Sequence, residues 1–352
     1  MNDDILEKFN RLKGRRDAVI LGIESSCDET AAAVVKGGTQ VLSSVISSQI
    51  EIHKRFGGVV PEIASRNHTM AINGVVEEAL EKAGKKFSDL DAIAVTYGAG
   101  LAGALLVGVS AAKAYAYANK LPLIKVNHIE GHIAANYVAH PSLTPPFTAI
   151  VASGGHTSIV NVTDYNDFSL VGGTVDDAIG EAFDKVARLL SLPYPGGPNI
   201  DRLAKNGTPS INFYKNQKSV KKDLSLSYSG LKTAVVNYVH NLRQKGEAIP
   251  VEDICASFTH CAVDLLCDTA IAAAKKLGHD KIVLAGGVAA NSYLRESLLE
   301  KGKKNGFEVL YPEPILCTDN AVMIASRAFF SAFFGLGLAD LSLNAVSNLR
   351  IG

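Results

Sequence analysis

The chain of 352 residues contains no tryptophan, only 3 methionines, and 5 cysteines that are odd in number, scattered and without a CxxC pair. That cysteine pattern excludes a disulfide framework and a cysteine-rich zinc site, and it points to a reducing, cytoplasmic setting. No charge of either sign is in excess. The 35 Lys and Arg balance the 35 Asp and Glu, so no global field draws the protein to nucleic acid, and an RNA partner has to meet a local basic patch. No apolar run is long enough to span a bilayer, the most apolar stretch being residues 328–339. The first residues, MNDDILEKFNRLKGRRD, are charged and lack the apolar centre of a signal peptide. What remains is an ordinary globular mix, 47% hydrophobic and 20% charged, sized for two domains or one bilobal unit.

Residues 1–17 read as an exposed, helix-compatible extension. From Ala18 the texture changes: AVILGIES is a buried strand, TAAAVV a second, and VLSSVISS a third after the Gly37-Gly38 turn, together an antiparallel meander. Helical periodicity follows over 63–83, then the strand DAIAVTYG, a small-residue helix over 103–120, and the strand LIKV. The Pro-bearing run HPSLTPPFT, 140–148, reads as a hinge. Beyond it the pattern starts again: TAIVASGG, HTSIVNVTD and FSLVGG are three short strands, followed by a helix over 177–190, the strand KIVLAGG, a helix beginning near Ala289, the strand FEVLYP and a last helix over 320–334. Each half runs strand, turn, strand, turn, strand, then alternates helix with strand, the mark of a structural duplication. The expected organisation is an extension at 1–17, a first lobe at 18–147 and a second at 148–352. An inserted polar loop near 213–229 carries Lys215, Lys218, Lys221 and Lys222, either an RNA contact or a solvated loop.

Several stretches can carry chemistry. His128 and His132 lie four apart in a helix-compatible segment, so both imidazoles share a face and can close on one metal ion. Asp319 precedes the last helix and is either its N-cap or the carboxylate, from the second lobe, that completes a two-His, one-carboxylate set suited to iron or zinc. In IESSCDET, residues 23–30, hydroxyls and carboxylates crowd one turn. In ASGGHTS, Gly154 and Gly155 free backbone N–H groups to approach phosphate oxygens, or simply make a hairpin. LAGGVAAN, 284–291, ends a strand and opens a helix, whose N-terminus suits a nucleotide or is an ordinary strand-to-helix turn; neither a Walker A nor a GxGxxG motif is read in the chain, so a P-loop or dinucleotide site is disfavoured. Asp184 and Asp201, the latter just after a Pro-Gly-Gly-Pro loop, suit ribose hydroxyls or solvated helix ends alike. Glu62, Arg66 and His68 in FGGVVPEIASRNH are polar residues for which a structural role is expected.

Nine motifs in order, GIESSCDETA, FGGVVPEIASRNH, HIEGH, SGGHT, DDAIGEAFDKVAR, YPGGP, SGLK, LAGGVAAN and CTDNAVMIA, run from Val19 to Arg327. Together they resemble the tRNA N6-adenosine threonylcarbamoyltransferases, the bacterial TsaD group formerly labelled O-sialoglycoprotein endopeptidases. The resemblance departs in places. Gly98-Ala99-Gly100 stands where the family usually has Gly-Pro-Gly, Tyr97 where bacterial relatives often carry Glu, and Ala152 where Val usually precedes SGG.

The resemblance implies an α/β, duplicated actin/Hsp70/sugar-kinase fold with nucleotide in a cleft. It implies His128, His132 and Asp319 as ligands of one Fe2+ or Zn2+ per subunit. Val151, Ala152, Ser153, Gly154, Gly155, Asp184, Gly197, Asp201 and Asn291 would contact threonylcarbamoyl-AMP or an adenine nucleotide in its place. Asp28 or Glu29 would take up the proton of the attacking amine. The implied reaction moves threonylcarbamoyl to the N6 amine of the adenosine beside the anticodon, in tRNAs that read codons beginning with A. The implied partners are tRNA, a paralogous TsaB-type subunit, a small TsaE-type ATPase and an upstream threonylcarbamoyl-AMP synthase. A metalloprotease reading needs a base beside the metal, and Glu130, two residues from each histidine, lies off the metal-facing side. An Hsp70-like scaffold would need no metal ligands.

Overall fold

In a computed structural model, residues 3–214 and 220–352 are described. Twelve strands occur among them: β1 (Val19–Glu24), β2 (Glu29–Lys36), β3 (Gln40–Ser48), β4 (Ala92–Gly98), β5 (Leu123–Asn127), β6 (Phe147–Ala152), β7 (Thr157–Asp164), β8 (Asp167–Thr174), β9 (Ser225–Leu226), β10 (Lys281–Ala285), β11 (Glu308–Leu310) and β12 (Leu338–Ala339). They form two six-stranded mixed sheets, ordered β12-β5-β4-β1-β2-β3 and β11-β10-β6-β7-β8-β9. The expected duplication is visible in this order. In each sheet the first strand heads a three-strand meander on one side and takes parallel strands on the other: β1 pairs parallel with β4, and β6 with β10.

The chain divides into two compact units, 1–145 with 164–167 and 315–352, and 146–163 with 168–314. The boundary at Pro145 and Pro146 falls in the run read as a hinge. One part of the sequence reading needs correcting: the last helix, Ala321–Phe333, belongs with the first sheet rather than the second lobe. The reason is packing. Ile20, Ala31, Ala33, Val35, Ala92, Ala94, Ile124 and Val126 share a core with Ala321, Val322, Met323, Ile324, Ala325 and Ala328 of this closing helix. The intervening residues, Leu21, Ile23, Ala32, Val34, Ile93 and Val95, face the other way onto the helices Pro61–Lys82 and Ala102–Asn119. Strands covered on both faces read as continuous apolar runs, which is why they were legible. Gly22 permits the closest approach: a Cβ there would stand 2.4 Å from the Ala321 carbonyl oxygen.

The N-terminal extension also differs from expectation. Asp3–Asn10 is a helix, but Phe9 and Leu12 are buried in the first unit's core, so the segment is docked rather than free. The stretch read as a polar insertion is anchored at both ends by buried Phe213, Tyr214, Leu224 and Tyr228 and contributes β9. Lys221 and Lys222 are exposed; Lys215 and Lys218 lie outside the described residues. One helix, Val251–Leu277, is long and apolar enough to cross a membrane, yet 72% of its apolar window is buried within the protein, as a core helix would be.

Candidate active site

β5 delivers the chain directly into the helix His128–Ala139. Asn127 caps it, its side-chain oxygen accepting from the Ile129 N–H at 2.9 Å while its amide donates to the Arg350 carbonyl at 2.9 Å. His128 and His132 rise one turn apart with ring centroids 4.6 Å apart. At the entry to the closing helix, Asn320 is the N-cap, accepting from the Met323 N–H at 2.9 Å. Asp319 is therefore not needed as a cap. Its Oδ1 lies 3.5 Å from His128 Nε2 and 3.3 Å from His132 Nε2. All three residues sit in the first unit, so the carboxylate does not come from the second lobe as expected.

The residues fit a metal ion. At the metal–ligand lengths usual for zinc, the edge of a tetrahedron is about 3.3–3.5 Å, the separation observed between Asp319 and each imidazole. Each of the three side chains offers one ligand atom, all within 4.8 Å of one another. Both ring nitrogens of His132 are buried without a hydrogen-bond partner, a cost that a bound cation would remove at the nitrogen facing Asp319. Burial foremost, and then the neighbouring His128, lower the His132 imidazole from its ordinary value.

His128 is oriented from behind. Its Nδ1 lies 3.1 Å from Glu24 Oε2 and 3.1 Å from Ser26 Oγ, which leaves Nε2 towards Asp319. Glu24 is fully buried at the end of β1 and accepts from the Thr96 hydroxyl at 2.6 Å and from the Ser26 N–H. A carboxylate behind a ligating imidazole selects its tautomer and raises its basicity. Burial opposes charge on His128, but Glu24 and then Asp319 outweigh it and push the imidazole up to about 9. The neutral form needed for ligation would thus be reached when a cation displaces that proton to solvent. Ser26 belongs to the hydroxyl-rich turn expected from sequence, whereas Glu24 and Thr96 were missed; a lone Glu closing the apolar strand VILGIE was the available signal.

The turn between β1 and β2 places Asp28 and Glu29 nearby. Burial, then Asp319 and Asp28, push the Glu29 carboxyl up to about 9, so it holds its proton at neutral pH. His68 holds the turn: its Nε2 lies 2.9 Å from the Cys27 carbonyl oxygen and its Nδ1 2.7 Å from Thr30 Oγ1. Of the three polar residues expected to have a buried structural role here, His68 has one and Glu62 and Arg66 do not. Glu62 and Arg66 form an exposed pair on the same helix, 2.6 Å apart. Glu130, between the two histidines, is paired with Arg327 at 2.7 Å.

The remaining candidates lie in the second unit, around the C-terminal ends of the parallel strands β6 and β10, where ligands of such sheets usually bind. Ser153 closes the Gly154-Gly155 turn, its N–H donating to the His156 carbonyl at 2.8 Å. A Cβ at Gly154, Gly155, Gly197 or Gly287 would meet open space. Gly286, with φ +90°, is structural, since a Cβ there would meet the Ala152 carbonyl oxygen at 2.4 Å. The other candidates already have protein partners. Asp184 accepts from the Gly196 N–H at 2.7 Å, Asp201 from the Ser292 N–H at 3.0 Å and its hydroxyl at 2.8 Å, and Asn291 caps the helix Ser292–Lys304. Two motifs are stapled together: Asp176 accepts from the Ser227 and Ser229 hydroxyls and the Tyr228 N–H, and Asp177 pairs with Lys232 of SGLK at 2.9 Å.

One sequence pattern escaped notice. Gly98, Gly100 and Gly103 have GxGxxG spacing at the end of β4 and the start of a helix. Their Cβ positions are occupied by the protein itself, at the Val346 carbonyl oxygen (2.3 Å), the Ser26 carbonyl oxygen (2.5 Å) and Ser65 Oγ (2.3 Å). Those glycines serve packing and leave no approach for a dinucleotide.

A family model described as TsaD, tRNA N6-adenosine threonylcarbamoyltransferase, matches residues 40–326. The chain belongs to this family. It is 57% identical over 340 residues to the tRNA N6-adenosine threonylcarbamoyltransferase of Clostridium perfringens (strain 13 / Type A), covering 95% of this chain and 98% of that one. To the enzyme of the same name from Clostridium novyi (strain NT) it is 56% identical over 338 residues, covering 96% and 99%. A family member is a transferase of tRNA modification, acting on the N6 amine of adenosine in the biosynthesis of t6A. Among solved structures, full-length HypF in its phosphate- and nucleotide-bound form superposes with a TM-score of 0.62 at 18% identity, over 91% of this chain and 47% of that one. Component A of (R)-2-hydroxyglutaryl-CoA dehydratase from Acidaminococcus fermentans gives 0.54 at 18% identity, over 90% and 99%. These likenesses place the fold in the actin/Hsp70/sugar-kinase class that the motifs implied.

Proposed function

We propose that this transferase takes threonylcarbamoyl from threonylcarbamoyl-AMP and delivers it to the adenosine beside the anticodon, in tRNAs that read codons beginning with A. The observation carrying this reading is the convergence of His128, His132 and Asp319, the carboxylate within 3.5 Å of both imidazoles and His132 otherwise without partners. These three would hold one Fe2+ or Zn2+, which when bound supplies a Lewis acid and a fixed positive charge. The N6 nitrogen attacks the carbamoyl carbon, the bond from that carbon to the phosphate oxygen breaks, and AMP leaves with the electron pair. An exocyclic amine is a poor nucleophile, so positioning and charge stabilisation have to do most of the catalysis.

Asp28 or Glu29, both at the β1–β2 turn, is assigned the amine proton. The segment Val151–Gly155 and Gly197, with Asp184, Asp201 and Asn291, are assigned to the adenylate. Three of these side chains also hold the second unit's own loops, so their loss would disturb binding through the loop as well as directly. The protein is assigned to the cytoplasm, working with a paralogous subunit, a small ATPase and an upstream synthase of the donor.

Nucleoside mass spectrometry of tRNA incubated with donor and these partners tests the reading. Wild-type protein yields threonylcarbamoyladenosine, and Asp319→Ala loses both bound metal and product. Metal content unchanged in Asp319→Ala would remove that residue from the centre, and full product formation would remove the centre from the reaction.

A further inference from the structure

Glu130 is fixed by the helix at two residues from each histidine, about 200° around the axis from both, so it points away from the side on which they converge. Its Oε2 instead accepts from Arg327 Nε at 2.7 Å. The two side chains are largely removed from solvent, 7% exposed for Arg327 and 19% for Glu130. Arg327 extends the link: its Nη1 donates to Asn166 Oδ1 at 2.9 Å, and the Asn166 amide donates to the Phe330 carbonyl oxygen at 3.3 Å, back on the closing helix. Beside this pair the two helices touch through small groups. A Cβ on Gly131 would stand 2.8 Å from Ile324 Cδ1, and the Ser326 hydroxyl donates to the Ala134 carbonyl oxygen at 3.4 Å.

The metal ligands are divided between these same two helices. His128 and His132 ride on one, and Asp319 is held immediately before the Asn320 cap of the other. The separation of Asp319 from the imidazoles is therefore the register of one helix against its neighbour. Apolar contact through Gly131, Ile324 and Met323 resists separation but is only weakly directional, so it permits slippage along the seam. A planar guanidinium held by a carboxylate on one side and an amide on the other admits a single placement. Buried ion pairs are a weak source of stability, and in some proteins they specify a single arrangement instead.

We propose that Glu130 and Arg327 are positioning residues that lock the histidine helix in register with the closing helix, so that the three ligand atoms converge on the metal. The inference rests on the metal reading above, and it gives Glu130 a role other than that of a protease base. Metal-free protein titrated with Zn2+ against a competing chelator, alongside circular dichroism and thermal unfolding, tests it. Glu130→Gln and Arg327→Met should raise the Kd for Zn2+ roughly 10–100-fold, the range typical of residues behind metal ligands. Arg327→Lys, which keeps the charge but loses the fork, should fall between them and wild type. A single variant leaves an uncompensated charge and can fail to fold. The double variant Glu130→Gln with Arg327→Met removes both charges, is expected to fold, and should still bind Zn2+ weakly. Wild-type Kd in the folded variants, with only the melting temperature lowered, would reduce the pair to a structural contact and overturn the proposal. A wild-type protein that binds no Zn2+ would overturn the metal reading and this proposal with it.

Discussion

At the scale of single residues, the candidate site separates groups that face a ligand from groups that hold the fold in place. The distinction was only partly legible in the sequence. His128, His132 and Asp319 were readable, because a four-residue spacing survives any helix and a carboxylate before a helix stands out. Whether Asp319 or Asn320 capped that helix was not readable, since neighbouring residues of either type compete for the same backbone donors. Glu24 was not singled out because the strand around it reads as apolar; its purpose appears only once Thr96 and His128 are brought to it by chain segments far apart in sequence. Asp176 is a second case. Burial works to raise its carboxyl, but the Ser227 and Ser229 hydroxyls and the Tyr228 and Ser229 N–H groups bring it down to about 2. A carboxylate lowered in the folded state stabilises the fold at every pH above its unfolded value of 3.8 and loses that contribution as the pH falls towards about 2. Asp176→Asn should therefore lower the melting temperature at pH 7, and the gap to wild type should close between about pH 4 and pH 2. Calorimetric unfolding across that range checks it, and a gap that stays constant would separate the acid sensitivity from this residue.

At the scale of elements, the strands announced themselves and the assignment of one helix did not. β1, β2 and β6, buried on both faces, are near-unbroken apolar runs, whereas the partly exposed β3 and β8 were legible from the turns that precede them. The closing helix is likewise apolar apart from Ser326, Arg327 and Ser331. Its neighbour in sequence, β11, belongs to the second unit, whereas its core partners are strands of the first. Chain order had no means of indicating that return. Gly22 is the point where the return is permitted, because the helix backbone rests on β1 with no room for a side chain. Gly22→Ala should cost about 1–3 kcal/mol or more, since a methyl group 2.4 Å from a backbone oxygen requires the helix to move. Urea unfolding of the full chain measures it. Because the same helix carries Asp319 at its entry, the folded fraction of the variant should also bind metal less tightly. Unchanged stability would show that the helix can shift without loss.

At the scale of the whole molecule, the equal numbers of acidic and basic side chains set the terms on which tRNA can be met. Phosphate neutralisation supplies much of the affinity of most nucleic-acid complexes and makes it fall steeply with salt. A chain with no net charge has little of this to offer except locally, and Lys221 and Lys222 are exposed together in a segment the sequence marked as basic. The flanking Tyr214, Leu224 and Tyr228 are buried, so these two lysines are presented by an anchored stretch rather than by a free tail. Binding of tRNA should be weak for this chain alone and should strengthen when the proposed partner subunits add their own basic surface. In the assembled complex, Lys221→Ala with Lys222→Ala should weaken tRNA binding at low salt and reduce the slope of log K against log salt by about 1–2, one unit for each phosphate no longer neutralised. Filter binding at several salt concentrations gives that slope, and metal content serves as the control, since neither lysine is among the candidate metal ligands. An unchanged slope with unchanged affinity would move the tRNA-binding surface to another face of the chain or to a partner. A slope that falls while product formation at saturating tRNA stays at the wild-type level would show that these lysines serve capture and leave the chemistry to the residues around His128.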